Sequence, residues 1–403
     1  MNWHPAILND RSYNLLISFN IYCAQEISSE ERFDVNRLFV YVSFVVLRWP
    51  PVLSTAREGD YASSRLEQIM KRLLALVLGA CLALATLLPT LASAKTVWKV
   101  NTLLTKESEL GQGIAAFVSE TAACSSGELE VQVFYGGQLG KNIPVVMQSL
   151  MAGDLDGFIE SGNYFGSLDK RFNVLDAPYA FKSRTQFTNF LKSPKFLEMA
   201  DAIYAKGIKI VNSDRMNWFR MEDRAILMRR PVFTPADLGK QKIRQYQAEM
   251  PIQGLIALGA NVQVIPWPDV YTALMTGTVD GLETTLSQSV ANKHVEAVKF
   301  LTILKLYYQQ AYVMIGRKAW DSLPEKLRQC VSTAATAGGT VYQARSLQDA
   351  QSYAERAKRD FGVTIIEPPL EPFQKLVVPA QQKWIERGLL PKETMDFITT
   401  LEH

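Results

Sequence analysis

From Glu128 to Phe134, apolar Leu129, Val131 and Val133 alternate with Glu130 and Gln132, the two-residue period of a strand with one buried face. Ile208 to Val211, Val262 to Ile265 and Val363 to Ile366 have the same character. Between Gln186 and Lys206 the spacing changes. Phe187, Phe190, Leu191, Leu197 and Ala200 recur at intervals of roughly three and four residues, which predicts a helix with one apolar face. Thr234-Pro235-Ala236-Asp237 joins a capping hydroxyl, a first-turn proline and a first-turn acid, and predicts the start of a short helix. Pro324 opens the longest helical stretch, which meets no further proline before Phe361. A helix of that length spans about 55 Å, enough to brace two domains. Gly338-Gly339 falls inside it and is the expected kink. Strands and helices alternate along the chain, so the fold class is α/β. No repeat or linker is visible, and the chain is expected to cross between its domains more than once.

The front of the chain reads differently. Met70-Lys71-Arg72 precedes an apolar run from Leu73 to Leu91 and then Ala92-Ser93-Ala94, the order of a secretory signal peptide cleaved before Lys95. The same run could span a bilayer as an anchor, and Leu78 to Cys81 resembles a lipobox; export with cleavage is the favoured reading. Residues 1–69 precede a complete signal with its own Met, so they are read as a mis-assigned N-terminal extension, with 70–94 as the signal peptide. The expected location of the remainder is periplasmic.

Composition narrows the function. With 403 residues, 48% hydrophobic and 21% charged, the chain is globular and long enough for two domains. Its net charge of +3 gives no polybasic face, which argues against nucleic acid as a partner. Cys23, Cys81, Cys124 and Cys330 share no zinc or dithiol spacing, and whether Cys124 and Cys330 pair is open. Past the signal only His294 and His403 remain, which removes histidine-based catalysis and most zinc sites. No nucleophile elbow, phosphate loop or dinucleotide fingerprint is present. Neither a cofactor nor a metal is expected, and the chain is not read as an enzyme.

Blocks along the second half carry a more specific signal. TPADLGKQKIR from Thr234, ALGANVQVIPW from Ala257 and DVYTALMTGTVDGLET from Asp269 follow one another in order. GELEVQVFYGGQLG from Gly127, LDAPYAF from Leu175 and AWDSLPEKLR from Ala319 accompany them. Together they resemble the DctP-type periplasmic solute-binding subunit of tripartite ATP-independent periplasmic (TRAP) transporters, over about Val97 to Glu371. The resemblance implies a two-lobed periplasmic-binding-protein-like fold with a hinge, an interdomain cleft and a long helix spanning both lobes. The expected lobes are 95–221 plus about 310–349, and 222–309 plus about 350–403. It also implies capture of an organic acid and its delivery to membrane permease subunits, with a periplasmic sensing receptor or a carboxylate-using enzyme as alternatives. The identity of the acid and the oligomeric state stay open.

The same resemblance points to site residues. Arg244 matches the arginine that pairs with the ligand carboxylate, a role suited to a planar guanidinium that binds both oxygens and keeps its charge in a dry cleft. Arg224 matches a second family arginine, with Arg220 as the competing choice. Trp267 stands at an aromatic position that packs on the ligand skeleton. Thr284 stands where many members carry Asn. Glu160 and Asn142 match polar positions that contact ligand in some members. Tyr271 and Glu283 flank the same region, and Asp269 reads as a helix cap.

Overall fold

The computed structural model describes residues 71–73, 75–76, 95–161, 164–214 and 216–402. The expected signal peptide and N-terminal extension therefore lie almost wholly outside the described residues. Residues 71–73 and 75–76 are helical, and among the described residues no helix is long and apolar enough to cross a membrane.

Leu91–His403 is one compact unit built on two sheets. The first combines β1 (Thr96–Asn101), β2 (Leu129–Phe134), β3 (Gly157–Ser161), β4 (Ile208–Ile210) and β10 (Ala311–Gly316), in the order β2-β1-β3-β10-β4. β1 runs parallel to β2 and β3, and β10 lies antiparallel between β3 and β4. The second sheet has the order β11-β9-β5-β8-β6-β7. Its strands are β5 (Ala225–Met228), β6 (Lys242–Gln245), β7 (Asn261–Val264), β8 (Gly281–Thr284), β9 (Phe300–Ile303) and β11 (Thr364–Ile366). The chain thus leaves the first sheet after Ile210 and returns to it at Ala311. Where the two crossings meet they pair antiparallel: Phe219 bridges Gln310, and the Arg220 N–H donates to the Gln309 carbonyl at 2.7 Å.

Local chemistry explains the helices. Helix α1 (Glu109–Cys124) starts where the Ser108 hydroxyl accepts the Gly111 N–H at 3.1 Å. α2 (Ile143–Ala152) is capped by Asn142 and closed by Gly153 in the left-handed region. The stretch read as one helix from Gln186 to Lys206 is two, α3 (Arg184–Leu191) and α4 (Pro194–Ala205). Ser193 caps the second and Pro194 fills its first position, a start signal that interrupts an otherwise continuous apolar period. Thr234 to Leu238 forms the expected short helical turn, with a reciprocal Thr234 and Asp237 cap. The remaining helices of the second sheet are α5 (Glu249–Ala257), α6 (Val270–Met275), α7 (Leu286–Ala291) and α8 (His294–Ala297). α9 (Arg317–Asp321) follows β10.

The long helix is α10, Glu325–Phe361, ended by Gly362 in the left-handed region. Leu327, Val331, Ala334 and Tyr342 join the larger apolar cluster, which spans the first sheet and part of the second, while Ala357 and Phe361 join a smaller one confined to the second-sheet side. The helix runs unbroken through Gly338-Gly339, where a kink was expected. The glycines instead permit a close approach: a Cβ on Gly338 would lie 2.6 Å from the Trp218 ring and 2.7 Å from the Gly113 carbonyl of α1. Cys124 and Cys330 form a disulfide that ties the end of α1 to the first turns of α10. It closes a loop of 206 residues, and in the chain-entropy account a loop of that size is worth about 5 kcal/mol.

The C-terminal segment departs from the expected division. α11 (Glu371–Glu386) and α12 (Lys392–Thr399) contribute Phe373, Val377, Trp384 and Ile398 to the larger cluster, with Phe172 and Phe190. Asn173 donates to the Leu389 carbonyl and Gln186 to that of Ile398. Residues 371–402 therefore pack on the first-sheet segment 170–205 as well as against α5, and not on the second lobe alone. Their apolar faces fit either lobe, so only the fold reveals the partner.

Candidate functional site

A cavity of about 190 Å³ opens between the two sheets. The first sheet contributes Leu103, Leu104, Asn142, Glu160 and Tyr164; the second contributes Arg224, Arg244, Tyr246, Trp267 and Gln288. Gln309, on the return crossing, closes the floor. The position follows from topology. β6 is parallel to both β7 and β8, and Arg244 stands near its carboxyl end, where open α/β sheets place their ligands.

The two arginines face the cavity in different electrical states. Arg224 lies at the start of the second sheet, and its Nε and Nη2 donate to the two carboxylate oxygens of Glu283 on β8. Its Nη1 donates to Gln309 at 2.8 Å and Gln288 at 3.3 Å. Although burial opposes the charge, the Glu283 carboxylate holds the Arg224 pKa above the ordinary arginine value. Arg244, also buried, donates from Nε to the Ile265 carbonyl at 2.8 Å and has no carboxylate partner among the described residues. Burial pulls its pKa down to about 10. It remains a cation at neutral pH, but one that has lost hydration without gaining a counter-ion, the condition an incoming anion relieves. Its guanidinium carbon sits 5.3 Å from the Trp267 ring centre, so the indole braces it from the side. Behind the indole, His294 meets it edge to face at 5.0 Å, and burial beside the Arg244 charge drives the imidazole pKa down to about 3.

The fold brings five of the expected site residues to the cavity: Arg244, Arg224, Trp267, Glu160 and Asn142. Glu160, buried at the end of β3, accepts the Leu103 N–H at 2.8 Å and the Thr102 hydroxyl at 3.3 Å. Asn142 lies on the rim and spends its carbonyl on the Val145 N–H as the α2 cap. Thr284 does not line the cavity. It is fully buried at the end of β8, where its hydroxyl donates to the Thr285 carbonyl and accepts from Ser289. Strand alternation sends Glu283 toward Arg224 and its neighbour away, so matching by position alone selects the wrong side of the strand.

Arg220 is also absent from the cavity. It sits behind Arg224, paired with Glu109 at the start of α1 and within 3.4 Å of Ser287 at the start of α7. This knot joins both lobes through a crossing strand, which makes Arg220 part of the joint between them. Asp269 does not cap with its side chain; it forms an ion pair at 2.9 Å with Lys141 of the opposite lobe. Tyr271 is away from the cavity and donates to Glu296.

Sequence reasoning missed Tyr164, Tyr246, Gln288 and Gln309. Tyr246 lies two residues past Arg244 on the same strand end and was findable by that adjacency. Its hydroxyl donates to Asp176 of the first sheet's segment at 2.7 Å, a second polar bridge across the cleft. The glutamines carry no periodic or motif signal.

Two α/β lobes are thus joined by paired crossings and a shared helix, with a buried arginine at the cavity between them, an arrangement suited to a solute-binding protein. The family model described as bacterial extracellular solute-binding protein, family 7 (DctP) matches residues 100–387, and the chain belongs to that family. The C4-dicarboxylate-binding periplasmic protein DctP of Rhodobacter capsulatus is 28% identical over 299 residues, covering 73% of this chain and 87% of that protein. The 2,3-diketo-L-gulonate-binding periplasmic protein YiaO of Escherichia coli is 27% identical over 242 residues, 60% of this chain and 72% of that one. A TRAP periplasmic solute-binding protein from Bordetella bronchispeptica shares the fold, with a TM-score of 0.70 at 24% identity over 76% of this chain and all of that one.

Proposed function

We propose that this protein captures a small organic acid by its carboxylate in the cleft between the lobes and delivers it, chemically unchanged, to the permease subunits of a TRAP transporter. The observation that carries the reading is Arg244: a buried guanidinium at the cavity wall with no carboxylate partner among the described residues. Both relatives named above bind acids, by their names. In this reading Arg244, Arg224, Trp267, Glu160 and Asn142 form the ligand site, and Thr284 stands outside it. The first lobe comprises 95–221 with the return segment from about 310, and the second is built on 222–309. Export proceeds through residues 70–94, with cleavage before Lys95 and release to the periplasm.

The acid enters an open cleft, its carboxylate meets the Arg244 fork, and the lobes close by bending at the paired crossings. Closure expels water, so the ion pair strengthens and every unmatched polar group of a wrong ligand is penalised. Calorimetric titration with an acid drawn from a thermal-shift panel tests the assignment. Arg244→Ala should weaken binding by about 3 kcal/mol, roughly a hundredfold, and Arg244→Lys should recover little of it because an ammonium cannot grip both oxygens. Unchanged affinity in Arg244→Ala overturns the proposal.

A further inference from the structure

The joint between the lobes holds more acid than its one free cation can answer. Arg220, fully buried on the crossing strand, donates from Nη1 to Glu109 Oε1 of α1. Two residues further on, Glu222 accepts the Ser287 N–H of α7 at 3.0 Å. The Ser287 hydroxyl then makes hydrogen-bond contact with both acids, at Glu109 Oε1 and at Glu222 Oε2. A hydroxyl has one hydrogen and donates to one of them only. Arg220 Nη1 at 3.4 Å and the Thr285 hydroxyl at 3.3 Å also meet the serine oxygen, but neither puts a hydrogen between that oxygen and a carboxylate. The second contact therefore needs a hydrogen that a carboxyl group brings.

Charge gives the same count. Arg220 stands against two acids, so a second ionised carboxylate would lack a counter-charge. Other groups facing the joint leave that imbalance in place. Arg224, on the same strand, is already paired with Glu283. On α10 the Tyr342 ring lies 5.7 Å from the Arg220 guanidinium, and burial pushes its phenol up to about 12, so it stays neutral. Asp349 of the same helix adds negative charge toward Glu109, with Arg345 acting against it. Glu109 Oε2 is buried without a partner among the described residues, which suits a joint carrying less than two full negative charges. Burial raises the Glu222 carboxyl above its ordinary pKa, although the Ser287 bonds and the Arg220 charge oppose this.

We propose that Glu109 and Glu222 share one proton across the Ser287 hydroxyl, and that its release to solvent as pH rises unties the crossing strand from α7, making the hinge pH-sensitive. The titration belongs to the pair and not to either acid alone. With the proton present, Ser287 holds both acids. Without it, Glu222, the less buried of the two, turns to water and the Ser287 N–H loses its acceptor.

Infrared difference spectra of wild type against Glu222→Gln, from about pH 6, where ordinary carboxyls are ionised, to about pH 9, test this with no ligand added. Glutamine keeps a donor and an acceptor at the position, so the variant stands in for the protonated pair. Wild type should show a protonated-carboxyl band at the lower pH that Glu222→Gln lacks, and should lose it at the higher. No such band overturns the shared proton, and a band that persists overturns its release. Hydrogen exchange at the Ser287 amide reads the untying. Corrected for its intrinsic pH dependence, it should speed at least tenfold over this range in wild type and stay level in Glu222→Gln. The same behaviour in both proteins overturns the switch. If Glu222→Gln does not fold, carboxyl-labelled glutamate in wild type replaces the spectra: one glutamate resonance should titrate above about pH 6, and none doing so overturns the proposal.

Discussion

At the residue scale the cleft depends on what neighbours do to charge. His294 is the clearest case away from the ligand, since burial and the nearby Arg244 cation hold its pKa at about 3 against the ordinary 6.5. The folded protein therefore refuses a proton that the unfolded chain accepts. Stability from this source is complete above about pH 6.5 and falls as pH drops toward 3, by up to about 1.4 kcal/mol per pH unit. Denaturant unfolding at pH 7 and pH 5 should show wild type losing more stability on acidification than His294→Gln. Equal losses would mean that His294 is solvated in solution. Arg244 itself was legible in the sequence because it ends a motif, KIR, on a strand that leads into the cavity. Thr284 was misplaced for a complementary reason: motif position fixes a residue's place in the order, whereas the pleat decides which sheet face it meets. Whether Cys124 and Cys330 pair was equally unreadable, because two cysteines separated by 206 positions meet only through the packing of α1 against α10.

At the element scale, the long helix was read from the sequence almost to the residue, Pro324 to Phe361 against the observed Glu325–Phe361. Proline at its head and glycine after its end are local signals that tertiary contacts do not override. The glycine pair inside it was assigned a kink because close approach between helices leaves no trace in one helix's own sequence. Its test weighs two magnitudes. Gly338→Ala gains about 1 kcal/mol in helix propensity. It also forces a methyl against Trp218 and the Gly113 carbonyl, at 2.6 and 2.7 Å, and overpacking of this kind costs about 1–3 kcal/mol. Backbone on one side leaves little room to relax, so the variant should unfold at lower urea than wild type with an unchanged slope. A higher midpoint would show that α10 can lift away from α1 at no cost.

At the scale of the whole molecule, the two lobes share a core. The larger apolar cluster takes Val100 and Phe158 from the first sheet together with Ile243 and Leu255 from the second, and the C-terminal helices pack across the same region. Arg220 links Glu109 of one lobe to Ser287 of the other beneath that cluster. Sequence periodicity shows each strand's buried face but never which elements share an interior. A shared interior has a thermodynamic consequence. Neither lobe can unfold without exposing apolar surface of the other, so calorimetry should show one transition whose van't Hoff and calorimetric enthalpies agree. A ligand bound only by the folded protein, present at a hundred times its Kd, adds about 2.7 kcal/mol and should move that single peak upward without splitting it. The proposed hinge bending is compatible with this, because closure about the paired crossings would leave the C-terminal helices and α10 anchored in the shared core. Two resolved transitions, with the ligand shifting only one of them, would show instead that the cleft residues of one lobe suffice for binding and that the common core does not couple the lobes.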